Sequence, residues 1–165
     1  MKKLLPIAVI LLLLLTGCQI TEKSKIQPLP TSFSAEVEIK SNTGNYKALL
    51  EHTDVRTRLV YSEPALLNGL TLTKTANGCT AELLGLSVSA DEKYFSQHSA
   101  IILTDSVLKA VLYSDGEGLE TEEFDERIII KGTLDGTPFE VTRYKAEPVI
   151  ISICIPSLSF TVNFK

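Results

Sequence analysis

The last eight residues, Leu158-Ser159-Phe160-Thr161-Val162-Asn163-Phe164-Lys165, alternate apolar and polar side chains without a break. Successive residues of a β-strand point to opposite faces. Leu158, Phe160, Val162 and Phe164 therefore share one face, and Ser159, Thr161, Asn163 and Lys165 the other. One dry face and one wet face is the pattern of an antiparallel sheet. The same period appears far upstream, where Phe33, Ala35, Val37 and Ile39 alternate with Ser34, Glu36, Glu38 and Lys40.

Between these two ends the period of two dominates. Asn42-Thr43-Gly44-Asn45 is a turn cluster, so a hairpin partner is expected over Tyr46 to His52. A third strand runs through Val55, Thr57, Leu59 and Tyr61, with Arg56 and Arg58 on its other face. Leu70 to Thr75 and Thr80 to Leu84 flank Ala76-Asn77-Gly78, and Asn-Gly is the strongest short hairpin signal. Leu86 to Ser89 reads as one more short strand. Glu126 to Gly132, Pro138 to Tyr144, Val149 to Ile155 and Leu158 to Phe164 complete the set, with Asp135-Gly136 as a hairpin turn.

One segment breaks the period. From Ser99 to Tyr113, apolar residues fall at Ile101, Leu103, Val107, Leu108, Val111 and Leu112. Spacings of three and four place them on one helical face, with Asp105, Ser106 and Lys109 opposite. Ser99 is a natural N-cap, and Gly116 and Gly118 stop the run. Glu63 to Asn68 is expected to add a short helical turn. The sum is an α+β, mainly β domain: a curved antiparallel sheet forming an unclosed half-barrel, covered by one or two lid helices.

The chain has 165 residues, 44% hydrophobic and 22% charged, which argues against disorder. With 20 acidic and 16 basic residues the formal charge is −4. That balance argues against a nucleic-acid binder, which needs a basic footprint. Met1-Lys2-Lys3 precedes an apolar run of 12 residues, Leu4 to Leu15. Such a helix rises only about 18 Å against a hydrocarbon core of about 30 Å. It therefore reads as a signal-peptide core rather than a membrane span.

Leu15-Thr16-Gly17-Cys18 resembles the lipobox of bacterial lipoproteins. The resemblance implies cleavage before Cys18 and diacylglyceryl attachment at its thiol. Two acyl chains hold a protein at a membrane far better than one. The implied organisation is a leader over residues 1–17, a lipidated Cys18 with a flexible tether to residue 32, and a β domain over 33–165. The implied location is the extracytoplasmic face of the cell membrane. Removal of Lys2 and Lys3 with the leader leaves 14 basic and 20 acidic residues, a formal −6.

With Cys18 acylated, Cys79 and Cys154 remain. In an exported protein they could form a disulfide or stay as two buried thiols, and both alternatives stand. No Cys-x-x-Cys, Gly-x-Ser-x-Gly, P-loop or dinucleotide fingerprint occurs. His52 and His98, the only histidines, lie near no second ligand in sequence. The acidic run Glu117, Glu120, Glu122, Glu123, Asp125 and Glu126 does not match a calcium loop and reads as a solvated loop or hairpin face. Arg56 and Arg58 could meet a phosphate headgroup but equally suit an exposed strand face. No catalytic residue, metal site or cofactor is expected, and an enzyme is not.

From Phe33 to Phe164 the chain resembles the LolA/LolB-like outer-membrane lipoprotein-sorting superfamily. The resemblance is carried by Phe33-Ser34-Ala35-Glu36-Val37, by Val60-Tyr61-Ser62-Glu63-Pro64-Ala65-Leu66-Leu67-Asn68-Gly69-Leu70-Thr71-Leu72, and by the Leu134-Asp135-Gly136 hairpin with the late strands after it. It implies a lipid or other apolar ligand sheltered in the concave side of the sheet. Leu103, Val107, Leu108, Val111, Phe160 and Val162 are the expected cavity residues. The chain departs from the soluble carriers in having its own lipobox and one clear lid helix, which speaks against lipoprotein shuttling. An anchored structural or interaction module with a filled core fits the same apolar pattern. A monomer bound to the membrane through Cys18 is expected in either case.

Overall fold

The computed structural model describes residues 27–165. The leader, Cys18 and the tether as far as residue 26 lie outside the described residues. Eleven strands form one antiparallel sheet: β1 (Phe33–Ser41), β2 (Gly44–His52), β3 (Arg56–Glu63), β4 (Thr71–Thr75), β5 (Gly78–Leu83), β6 (Leu86–Ala90), β7 (Glu120–Glu123), β8 (Arg127–Leu134), β9 (Thr137–Tyr144), β10 (Ile150–Ile155) and β11 (Phe160–Phe164). One long helix, α1 (Ala100–Tyr113), separates β6 from β7. The expected fold class holds, with the sheet open between β6 and β7.

The strand order is β6-β5-β4-β3-β2-β1-β11-β10-β9-β8-β7. The chain starts in the middle of the sheet and meanders out to one edge. It then crosses through α1 to the other edge and meanders back, until β11 pairs with β1. Val37 faces Phe164 and Ile39 faces Val162 across that closing pair. The alternating apolar residues of both ends therefore meet on one concave face. Val37, Ile39, Leu50, Leu59, Val141, Ile153 and Val162 are all fully buried there.

α1 fills this concavity, packing against β3 and β4 on one wing and β8 on the other. Ile101, Val107 and Leu108 have no exposed surface. Ser99 occupies the N-cap position, as expected, but its side chain makes no capping hydrogen bond; its carbonyl accepts from the Leu103 N–H at 3.0 Å.

Two sequence expectations differ from the structure, and one strand is added. The acidic run, expected as a solvated loop or hairpin face, supplies the exposed strand β7, whose Glu120 to Glu123 pair with Ile128 to Lys131. The pairing rests on backbone hydrogen bonds, with a Lys131–Glu122 ion pair at 2.7 Å on its surface, and its residues carry no period-two apolar pattern. The last strand begins at Phe160 rather than Leu158, because Pro156 starts a 3-10 turn and Ser159 takes a left-handed φ of 50°. Asp105, assigned to the wet face of the helix, is only 2% exposed.

The last six residues of the stretch expected as tether lie against the domain. The Arg143 guanidinium donates to the Gln27 carbonyl at 2.6 Å, and the Tyr113 hydroxyl donates to the Thr31 carbonyl at 3.2 Å. Leu29 packs on the core. This strap crosses the end of the half-barrel where α1 terminates.

Candidate functional site

The opposite end, where α1 begins, is an open mouth. There the β1–β2 turn holds Tyr46, whose hydroxyl donates to Thr43 Oγ1 at 2.9 Å. The Tyr46 and Tyr61 rings meet edge to face, 5.8 Å between centroids and 87° between planes. Burial pushes the Tyr61 phenol up to about 12, so it stays neutral at ordinary pH. Leu67, from a 3-10 turn over Ala65–Leu67, and Leu70 and Leu72 form the facing wall.

These side chains, with Leu103 of α1 and Phe160 of β11, enclose a cavity of about 430 Å³. The Ser99 hydroxyl is buried without a partner in this wall. A second cavity, of about 220 Å³, lies on the other flank of α1 against Ile102, Leu134 and Ile155. It shares His98, Leu103 and Leu158 with the first. Leu103 and Leu158 thus stand between two halves of one mouth.

Of the six expected cavity residues, the structure places Leu103 and Phe160 on the mouth cavity. Val107, Leu108 and Val162 are fully buried in the packed core below it, and Val111 is half-buried against that core. Helical spacing identifies the inward face but not how far down the helix the space is filled. Tyr61, Leu67 and Leu70 carried a usable signal: they lie in the Val60–Leu72 passage that bears the family resemblance. Cys79 is a buried free thiol on β5 and Cys154 a half-buried one on β10. Five strands lie between β5 and β10 in the sheet order, and the disulfide alternative is not formed. Cys18 is outside the described residues. Arg58 pairs with Glu51 at 3.0 Å, and Arg56 is exposed.

Near the strap, a buried polar chain ties the lid to the sheet. Thr57 Oγ1 donates to Asp105 Oδ1 at 2.6 Å, and His52 Nδ1 lies 2.7 Å from the same hydroxyl. Thr57 has one hydroxyl proton, and it points to Asp105. His52 must therefore donate from Nδ1. Its Nε2 then faces the Tyr113 hydroxyl at 3.5 Å. Lys109 completes the chain on Asp105 Oδ2 at 2.8 Å. No sequence pattern links these positions, which come from β2, β3 and α1.

Burial lowers the His52 pKa below its ordinary value; Asp105 and Asp54 oppose the shift and Lys109 adds to it. The unfolded chain thus takes up a proton near pH 6.5 before the folded one does. Stability contributed by neutral His52 is present above that pH and lost as the pH falls through it. The urea midpoint should be level from pH 8 to 7 and decline toward pH 5. His52→Asn, whose amide nitrogen replaces Nδ1, should flatten that decline. An unchanged slope in the variant would contradict the assignment.

Among the described residues, no group of three or more His, Cys, Asp or Glu is placed to hold a metal ion, and no helix is long and apolar enough to cross a membrane.

The architecture defines a class: one open antiparallel sheet wrapped around a single helix, with a mouth at the helix start. A conserved protein of uncharacterized function from Thermus thermophilus shares this fold, with a TM-score of 0.51 and 14% identity over 81% of this chain and 76% of that one. A LolA superfamily protein from Nitrosomonas europaea aligns over 85% of this chain and 73% of its own, at 11% identity and a TM-score of 0.37. The lipoprotein LppX from Mycobacterium tuberculosis aligns over 82% and 85%, at 12% identity and a TM-score of 0.41. No family model and no curated protein matches the sequence.

Proposed function

We propose that this chain is a membrane-anchored extracytoplasmic lipoprotein of the LolA/LolB-like kind, which shelters one apolar chain of a lipid in its mouth cavity. The observation that carries the reading is that cavity: about 430 Å³, walled by Tyr61, Leu67, Leu70, Leu103 and Phe160. Small-molecule pockets span roughly 300–1,000 Å³ and are mostly apolar. The strap lies at the end of the half-barrel opposite the mouth. A second reading, an interaction module with no ligand, draws on the packing below the mouth, where Val107, Leu108 and Val162 are fully buried.

A fluorescent fatty acid distinguishes the two. The native protein should take up one equivalent, and Leu70→Asp should bind about tenfold more weakly, because a carboxylate in the wall costs on the order of 1–3 kcal/mol. Leu70 is only half-buried, so the variant should keep its circular dichroism. No uptake by the native protein would favour the second reading. For the anchor, cells fed radiolabelled palmitate should label the native chain and not Cys18→Ala; a labelled variant would sink the lipoprotein assignment.

A further inference from the structure

The two free edges of the sheet are unlike. β7 exposes Glu120, Glu122 and Glu123. β6 is Leu86-Ser87-Val88-Ser89-Ala90, and no charged residue occurs from Leu83 to Ala90. Free edges are ordinarily blunted by charge, proline, a bulge or a covering segment. β6 has no proline, pairs with β5 in unbroken register, and leaves Leu86 76% and Val88 65% exposed. Val88 stands in one cross-strand row with Leu59, Leu72 and Ala81, which places it on the concave face. α1 packs on β3, β4 and β8 and leaves this part of the face open.

The β6 pattern is symmetric about Val88. In an antiparallel pair of two β6 strands centred there, Val88 meets Val88, Leu86 meets Ala90 and Ser87 meets Ser89. Large faces small, and hydroxyl faces hydroxyl. The same convex row already holds a Thr80–Ser89 hydroxyl contact of 2.8 Å within the chain. No like charges come opposite one another. Two β7 strands paired in the same way would stack carboxylates. A β6-to-β7 contact between copies is head-to-tail and does not close as a pair. We propose that β6 docks on β6 of a second copy about a twofold axis, joining the two sheets edge to edge and replacing the monomer expected from sequence.

The test uses the full-length protein. Val88→Cys, oxidised in its own membranes, should run at doubled mass on a non-reducing gel, whereas Glu122→Cys on the other edge should not. In detergent, sedimentation velocity should give the native chain as a pair. Val88→Lys, at an exposed position that leaves folding intact, should weaken association by at least about tenfold. A native chain that sediments as a monomer, or equal cross-linking at positions 88 and 122, would overturn the proposal.

Discussion

A chain carrying Leu108→Asp should fail to fold, or should unfold at least about 4 kcal/mol more readily than the native chain. Leu108 has no exposed surface, and α1 holds it between the two wings of the sheet. Truncating a buried leucine to alanine alone costs about 2–5 kcal/mol. A carboxyl group placed there finds no partner and adds its own desolvation cost. Urea unfolding followed by circular dichroism measures the effect. The sequence puts Leu108 among the cavity residues, where this change would impair only ligand uptake. A folded Leu108→Asp protein with weakened uptake would return it to the cavity and refute the packed core.

The second large effect is expected at Asp105. Asp105→Ala should cost about 2–3 kcal/mol, since it leaves the buried Thr57 hydroxyl without its acceptor and unties His52 behind it. The full penalty of a broken buried ion pair, about 3–5 kcal/mol, does not apply, because the Lys109 side chain is 42% exposed and regains water. Asp105→Asn keeps an acceptor for Thr57 and should cost about 1 kcal/mol. Lys109→Ala removes only the half-solvated partner and should cost under about 1 kcal/mol. Urea midpoints for the three variants test the ranking. If Lys109→Ala matched Asp105→Ala, the ion pair rather than the Thr57 bond would be the dominant interaction.

Much of this fold is legible because its strands are wet on one side. Phe33 to Ile39 and Phe160 to Phe164 announce their faces by alternation, and Asn77-Gly78 and Asp135-Gly136 announce their turns. β7 stayed hidden because its four residues, Glu-Thr-Glu-Glu, bury nothing. Lys74 and Arg143 lie on strands with no sign in the sequence that they are buried. Besides the carbonyl of the next residue, each meets a group that the linear pattern does not bring near it: Lys74 meets Glu92 at 2.8 Å and Arg143 the Gln27 carbonyl. Asp105 was misplaced for a related reason. A helix wedged between two wings of a sheet buries more than the apolar stripe that its periodicity marks, and a polar residue is admitted where a partner such as Thr57 waits.

From its residues alone this chain determined an antiparallel, mainly β fold and one helix with an apolar face toward the sheet, beside an N-terminal apolar run that ends in Leu15-Thr16-Gly17-Cys18. Those features follow from local periodicity and spacing, which act over a few residues. Only the tertiary structure decided where the concave face is full and where it is open. That depends on which side chains from β2, β3, β4, α1 and β11 arrive at the same depth. Near Leu108 they leave that side chain no exposed surface, while at the start of α1, between Tyr61 and Leu103, they stop short of one another and leave the mouth.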